Sequence, residues 1–175
     1  KVNSNYDANN SVNNYFPNSL RIVNITMDEI IGYGAFSNIP MITDVNFDTV
    51  VTISDYAFTN CENLKNINYS EILKFNYNND IVFDSAINLG KSVVNIGSYA
   101  FYGNDAITTV IIESNVTSYS NVGSYIFALN SNLINIDLRN NIIGEYMFFD
   151  CDSLSYIEIP SSIIAIRDYA FSGND

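Results

Sequence analysis

The chain has 175 residues, 19 Asp plus Glu against 7 Lys plus Arg, and a formal net charge of -12. So acidic a protein repels phosphate backbones, and no Lys/Arg cluster interrupts that charge, which excludes nucleic acid and anionic membrane surfaces as partners. With no His at all, it has no Ser-His-Asp or Cys-His nucleophile pair, no His-ligated zinc and no histidine general base.

Hydrophobic residues make up 47% of the chain, more than a disordered segment keeps in water, so a folded domain of ordinary size is expected. No apolar run approaches the roughly 18 residues of a membrane helix, and no membrane insertion is expected. The 28 Asn favour turns, because the amide bonds to nearby backbone and tolerates left-handed conformations.

Residues 1 to 20 are Asn- and Ser-rich with little periodicity and read as a tail or an irregular N-terminal cap. Leu20-Arg21-Ile22-Val23-Asn24-Ile25 is the first predicted strand. From there a hexapeptide recurs six times, from Ile31-Gly32-Tyr33-Gly34-Ala35-Phe36 to Ile166-Arg167-Asp168-Tyr169-Ala170-Phe171. Its Phe residues stand at 36, 58, 101, 127, 148 and 171, spaced by 22, 43, 26, 21 and 23. The double interval marks a degenerate unit at 71-95, which lacks the Ala-Phe core.

Further apolar columns share this register: Ile42, Leu64, Ile107, Leu133 and Leu154; Val45, Ile67, Val110, Ile136 and Ile157; Phe47, Tyr69, Ile112, Leu138 and Ile159. The last two columns lie two residues apart, the strand period, which predicts a short strand in each unit. A second extended stretch precedes each next hexapeptide, and a turn or single helical turn holds the Ala-Phe. Units of about 22 residues cannot bury their apolar faces alone, but stacked copies can, so the chain is a repeat solenoid over 21-175 with an internal Phe ladder. It stops at Ser172-Gly173-Asn174-Asp175, midway through a unit, from which a longer natural protein, or shielding by another copy, is expected.

The best-preserved unit runs Tyr146-Met147-Phe148-Phe149-Asp150-Cys151-Asp152-Ser153-Leu154-Ser155-Tyr156-Ile157-Glu158-Ile159-Pro160. It resembles the BspA-type, or Treponema pallidum-type, leucine-rich repeat over about residues 31 to 175. Pro after the strand, usual in the family, occurs here only at Pro160. The resemblance implies a curved right-handed stack with a parallel β-sheet on its concave face. It also implies a surface or secreted protein of a bacterium or protist that binds host proteins or other cells.

The candidate ligand-binding residues are the outward positions of that sheet, eight, ten and twelve after each Phe: Asp44, Asn46, Asn66, Asn68, Thr109, Ile111, Glu113, Asn135, Asp137, Arg139, Tyr156 and Glu158. Asp48, Ser70 and Pro160 complete the rows. They form parallel lines of hydrogen-bonding groups that suit a large protein ligand, although a solvated sheet face reads the same way. Ile111 and Tyr156 stand out as exposed apolar anchors. Cys61 and Cys151 share one turn column about four units apart, on the order of 20 Å, too far for a disulfide, and read as buried free thiols. The Tyr column at 56, 99, 125, 146 and 169 either covers the edge of the core or stacks on sugars. Gly32-Tyr33-Gly34 lacks the third glycine and the lysine of a nucleotide loop. Asn9, Asn24, Asn68 and Asn115 match the glycosylation acceptor pattern, as an Asn-rich chain does by chance.

The expected function is therefore a non-enzymatic protein-binding module of a secreted or cell-surface protein, with no cofactor. Its partner would be a host or extracellular-matrix protein with a basic patch, a glycan being the other option. The competing readings are a carbohydrate-cleaving β-helix working with paired carboxylates and a passive structural spacer.

Overall fold

The computed structural model describes residues 16-68, 85-113, 116 and 118-174. Most of the predicted tail and part of the degenerate unit, as well as Tyr69, Ser70 and Asn115, fall outside these. The described chain is a solenoid of parallel strands. Six strands form the large sheet, in the order β1 (Ile22–Ile25), β3 (Asp44–Phe47), β5 (Asn66–Ile67), β6 (Ile87–Asn88), β8 (Thr109–Ile112) and β9 (Asn135–Leu138). On the other side β2 (Ile30–Ile31), β4 (Thr52–Ile53) and β7 (Asn95–Ile96) form a second sheet, which a single bridge continues from Ile96 to Val122. β10 (Ile142–Ile143) pairs separately with β11 (Ala165–Ile166).

Between the sheets run most of the apolar columns read from the sequence, but Ile136 and Ile157 are only partly buried and Ile159, in no strand, is 41% exposed. Ile42, Leu64, Ile107 and Leu133 are fully buried, as are Val45, Ile67 and Val110. The Phe column is a continuous ladder: rings 36, 58, 101, 127, 148 and 171 stack at centroid distances of 5.1 to 5.7 Å with planes within 9°. Phe16 closes the N-terminal end, tilted by 40° on Phe36.

Each hexapeptide makes a ribbon whose N–H groups alternate in direction. The amides two before the Phe, at the Phe and two after it donate to the next coil, as in Tyr99 to Ser124 O, Phe101 to Ile126 O and Gly103 to Ala128 O. Those between them donate back three residues, as from Tyr102 to Tyr99 O. The alternation requires left-handed backbone two residues either side of the Phe. Tyr56, Tyr99, Tyr125, Tyr146 and Tyr169 have φ of 51 to 59°, and Asn38, Asn60, Leu129 and Asp150 have φ of 51 to 58°. Left-handed backbone costs roughly 1 kcal/mol per L-residue, offset here by the coil-to-coil bonds that the turn amides make. Coils also approach closely before the turn: a Cβ on Gly97 or Gly123 would strike the backbone of Asp55 or Ser98.

Among its described residues, the unit at 71-95 departs from its neighbours on the large-sheet side. Its strand β6 lies between β5 and β8, pairing Ile87 with Ile67 and Val110. On the turn side no rung is inserted: Phe58 stacks directly on Phe101 at 5.3 Å, Tyr56 on Tyr99 at 5.0 Å, and β4 pairs directly with β7. The four-residue surplus of the next unit is taken up nearby, by a 3-10 turn over Tyr119–Asn121.

Candidate functional site

The column three residues after each Phe is a second internal ladder, built from hydrogen bonds. Asn104 accepts from Cys61 N at 2.6 Å and donates to Phe58 O at 2.9 Å. Asn130 accepts from Asn104 N at 2.8 Å and donates to Phe101 O at 3.0 Å and Phe127 O at 2.7 Å. Asn174 repeats the pattern on Cys151 N and Phe148 O. Where Cys replaces Asn, the thiol donates to the Phe carbonyl of the preceding coil, Cys61 to Phe36 O at 2.9 Å and Cys151 to Phe127 O at 3.2 Å. Cys and Asn can replace one another in this column because both are small donors that reach one coil back. Burial pushes both thiols up to about 12, which keeps them protonated at neutral pH.

The Tyr column stacks too, at 4.4 to 5.0 Å from Tyr56 to Tyr169 with planes within 13°. Neighbouring rings cover the inner faces, leaving edges and hydroxyls toward solvent. Within this stacked column the ring left without a following partner is Tyr169, which is 62% exposed. Burial, and then the adjacent tyrosines, push the Tyr99 and Tyr125 phenols above their usual range.

The large-sheet face has two unlike halves. On the first, Asn46 Nδ2 donates to Asn24 Oδ1 at 2.9 Å, and Asn66 Nδ2 to Asp44 Oδ1 at 2.6 Å. Thr43 Oγ1 donates to the other oxygen of Asp44. Asn68, at φ 48°, accepts from Phe47 N at 2.7 Å and donates to Asn88 O at 3.3 Å, so its side chain carries the sheet ladder where β5 ends. Asn66 Oδ1 is buried without a donor. On the second half Arg139 donates to Asp137 at 2.6 Å and to Glu113 at 2.7 Å, while Asn135 is exposed.

Three expectations about this face need correction. Ile111, expected as an exposed anchor, is buried at 4% exposure, and so is Thr109 beside it. All four residues of β8 are buried, so the strand is covered on both faces; the unbroken run Val110-Ile111-Ile112 is the sequence mark of such a strand. Tyr156 is exposed at 73%, but it and Glu158 lie in no strand and join no sheet. Register with β9 would set Glu158 against Asp137, a like-charge pair, and Pro160 has no N–H to offer.

Sequence reasoning missed Asn24 and Asn88, which extend the amide row of Asn46 and Asn68. The register was counted from each Phe, and neither strand follows one. Register transfer from Asn46 back by one 22-residue unit would have found Asn24.

A shallow groove of about 470 Å³ crosses the second sheet, lined by Asp55, Asn95, Ser98 and Ser124. Its polar groups bond to one another, Ser98 N to Asp55 Oδ1 at 2.8 Å and Ser124 N to Ser98 Oγ at 3.1 Å. Among the described residues no three His, Cys, Asp or Glu side chains gather as metal ligands, and no helix is long and apolar enough to cross a membrane.

The BspA-type leucine-rich repeat region model matches residues 8–85 and 75–175, in six copies. The chain belongs to this family. A leucine-rich repeat protein of Bacteroides ovatus is similar in structure, with 26% identity and a TM-score of 0.54 over 90% of this chain and 44% of that one. A leucine rich cell surface protein of Faecalibacterium prausnitzii shows 20% identity and a TM-score of 0.45 over 86% of this chain and 51% of its own. The chain thus spans about half the length of these two proteins, or less. No curated protein matches the sequence. Membership of the repeat family makes a protein-interaction module the general expectation for this chain.

Proposed function

We propose that this chain is the non-enzymatic binding part of a secreted or cell-surface protein, engaging a host or matrix protein in adhesion through its large-sheet face. The observation that carries the reading is the row of outward amides and carboxylates held by neighbouring coils, Asn24 with Asn46 and Asp44 with Asn66. Interlocked side chains lose little entropy on binding, and a scaffold with two aromatic ladders holds them in place. The excess of carboxylates on the chain favours a partner with a basic patch.

The test is capture of soluble matrix proteins and whole cells by the immobilised chain, with Asn24→Arg, Asn46→Arg and Asp137→Arg as face variants. Capture should fall by about tenfold or more when the engaged part of the face is altered. Capture that none of the three variants changes would sink the reading, and release of reducing ends from polysaccharides by the chain would replace it with a catalytic one.

A further inference from the structure

The large sheet holds one strand more than the turn side does between Phe58 and Phe101. Two strand steps from β5 through β6 to β8 span about 9.6 Å, against 5.3 Å for the single ring step beneath them. That surplus of about 4 Å falls at β6, where the sheet side and the turn side lose their one-to-one match. The face is therefore two facets: β1, β3 and β5 on one side of β6, β8 and β9 on the other.

The second facet has little left to offer. β8 is buried on both faces, and Arg139 already pairs with both Glu113 and Asp137, leaving a single net negative charge there. The first facet has open hydrogen-bonding capacity and uncompensated charge. Asn46 and Asp48 are exposed, and Asp44 is fixed by Thr43 and Asn66, with no cation within ion-pair distance of Asp44 or Asp48 among the described residues. Asp44 opens β3 and Asp48 follows its last residue, at a bend, so the two carboxylates flank Asn46 at up to about 13 Å, the span of four extended residues.

Resting on the sheet-face reading above, we infer that the ligand site is the first facet and that it takes an extended basic segment of a protein. That segment carries cations four residues apart, one for Asp44 and one for Asp48, with a hydrogen-bonding side chain between them for Asn46. Asp44, already oriented by Thr43 and Asn66, needs no reordering to take such a partner.

A labelled peptide with the unit Lys-Thr-Thr-Thr-Lys, titrated into the chain at low and at physiological salt, tests the site. Binding should weaken with salt, weaken about tenfold in the Asp44→Asn/Asp48→Asn double variant, and stay unchanged in Glu113→Gln/Asp137→Asn. The off-face pair Glu62→Gln/Asp105→Asn should leave it unchanged as well. The inference is overturned if the peptide does not bind, if an equal loss follows the off-face pair, or if a Glu-Thr-Thr-Thr-Glu peptide binds as well. Loss only in Glu113→Gln/Asp137→Asn would overturn the facet while leaving the sheet-face reading intact. Matrix capture insensitive to every face variant would take both.

Discussion

The turn side and the large-sheet face of this solenoid are built from the same units but obey different rules. At the turn, every step from Phe36 to Phe171 repeats the same ring stacking and the same three backbone bonds, even across the 43 residues between Phe58 and Phe101. On the sheet face the strands vary from two to four residues, one extra strand is inserted, and the outward residues run from Asn to Ile to Arg. An interior column must match its neighbours in volume and in hydrogen bonding, because a buried mismatch has no water to repair it. Outward residues carry no such constraint, so stability resides at the turn and variation at the face.

The sharpest way to break this contrast is at the Phe ladder. Phe101→Ala removes a fully buried ring that stacks on two others, and should cost about 3–5 kcal/mol in urea unfolding. The same measurement on Asn130→Ala should show a loss of about 2–3 kcal/mol, since Asn104 N, Phe101 O and Phe127 O all lose a partner. Asn130→Cys, which keeps a donor and loses the acceptor, should fall between that variant and the parent.

The thiols give the contrast a pH signature. Their folded pKa is raised to about 12 by burial, so the stability they contribute is complete below the unfolded value near 8.5 and is lost as pH rises toward 12. Unfolding free energy should drop by about 1.4 kcal/mol per pH unit per thiol in that window. Cys61→Ser/Cys151→Ser, which retains a donor to the same carbonyls, should flatten the slope. A remainder will persist, since the Tyr99 and Tyr125 phenols are shifted in the same direction. A slope equally steep without the thiols would refute the assignment.

Smallest of all should be the face. Arg139→Ala removes two ion pairs of a half-exposed guanidinium and should change stability by about 1 kcal/mol or less, fading with added salt. A larger loss would mean that the face contributes to the fold as the turns do.

The stack could be read from the sequence because stacking makes spacing periodic. Phe, Leu/Ile and Cys/Asn columns stand out at intervals of 21 to 26 residues, stretched to 43 across the degenerate unit, and each marks a position where like residues lie over like. The candidate site was only partly readable. Asp44, Asn46, Asn66, Asn68, Asn135, Asp137 and Arg139 do share the large-sheet side. Ile111 and Thr109 were placed on the right side with the wrong exposure, and Tyr156 and Glu158 on a strand that does not form.

The sequence by itself determined the unit length, the stacking register and the buried columns, all of which follow from local pattern repeated along the chain. Tertiary structure alone decided that the unit at 71-95 adds a strand to one sheet and no rung to the turns. It also decided that β8 is covered on both faces, and that Arg139 is matched by its neighbours whereas Asp44 and Asp48 are not. Exposure and charge pairing depend on which coils meet, and a degenerate unit leaves no periodic mark to say where its neighbours close around it.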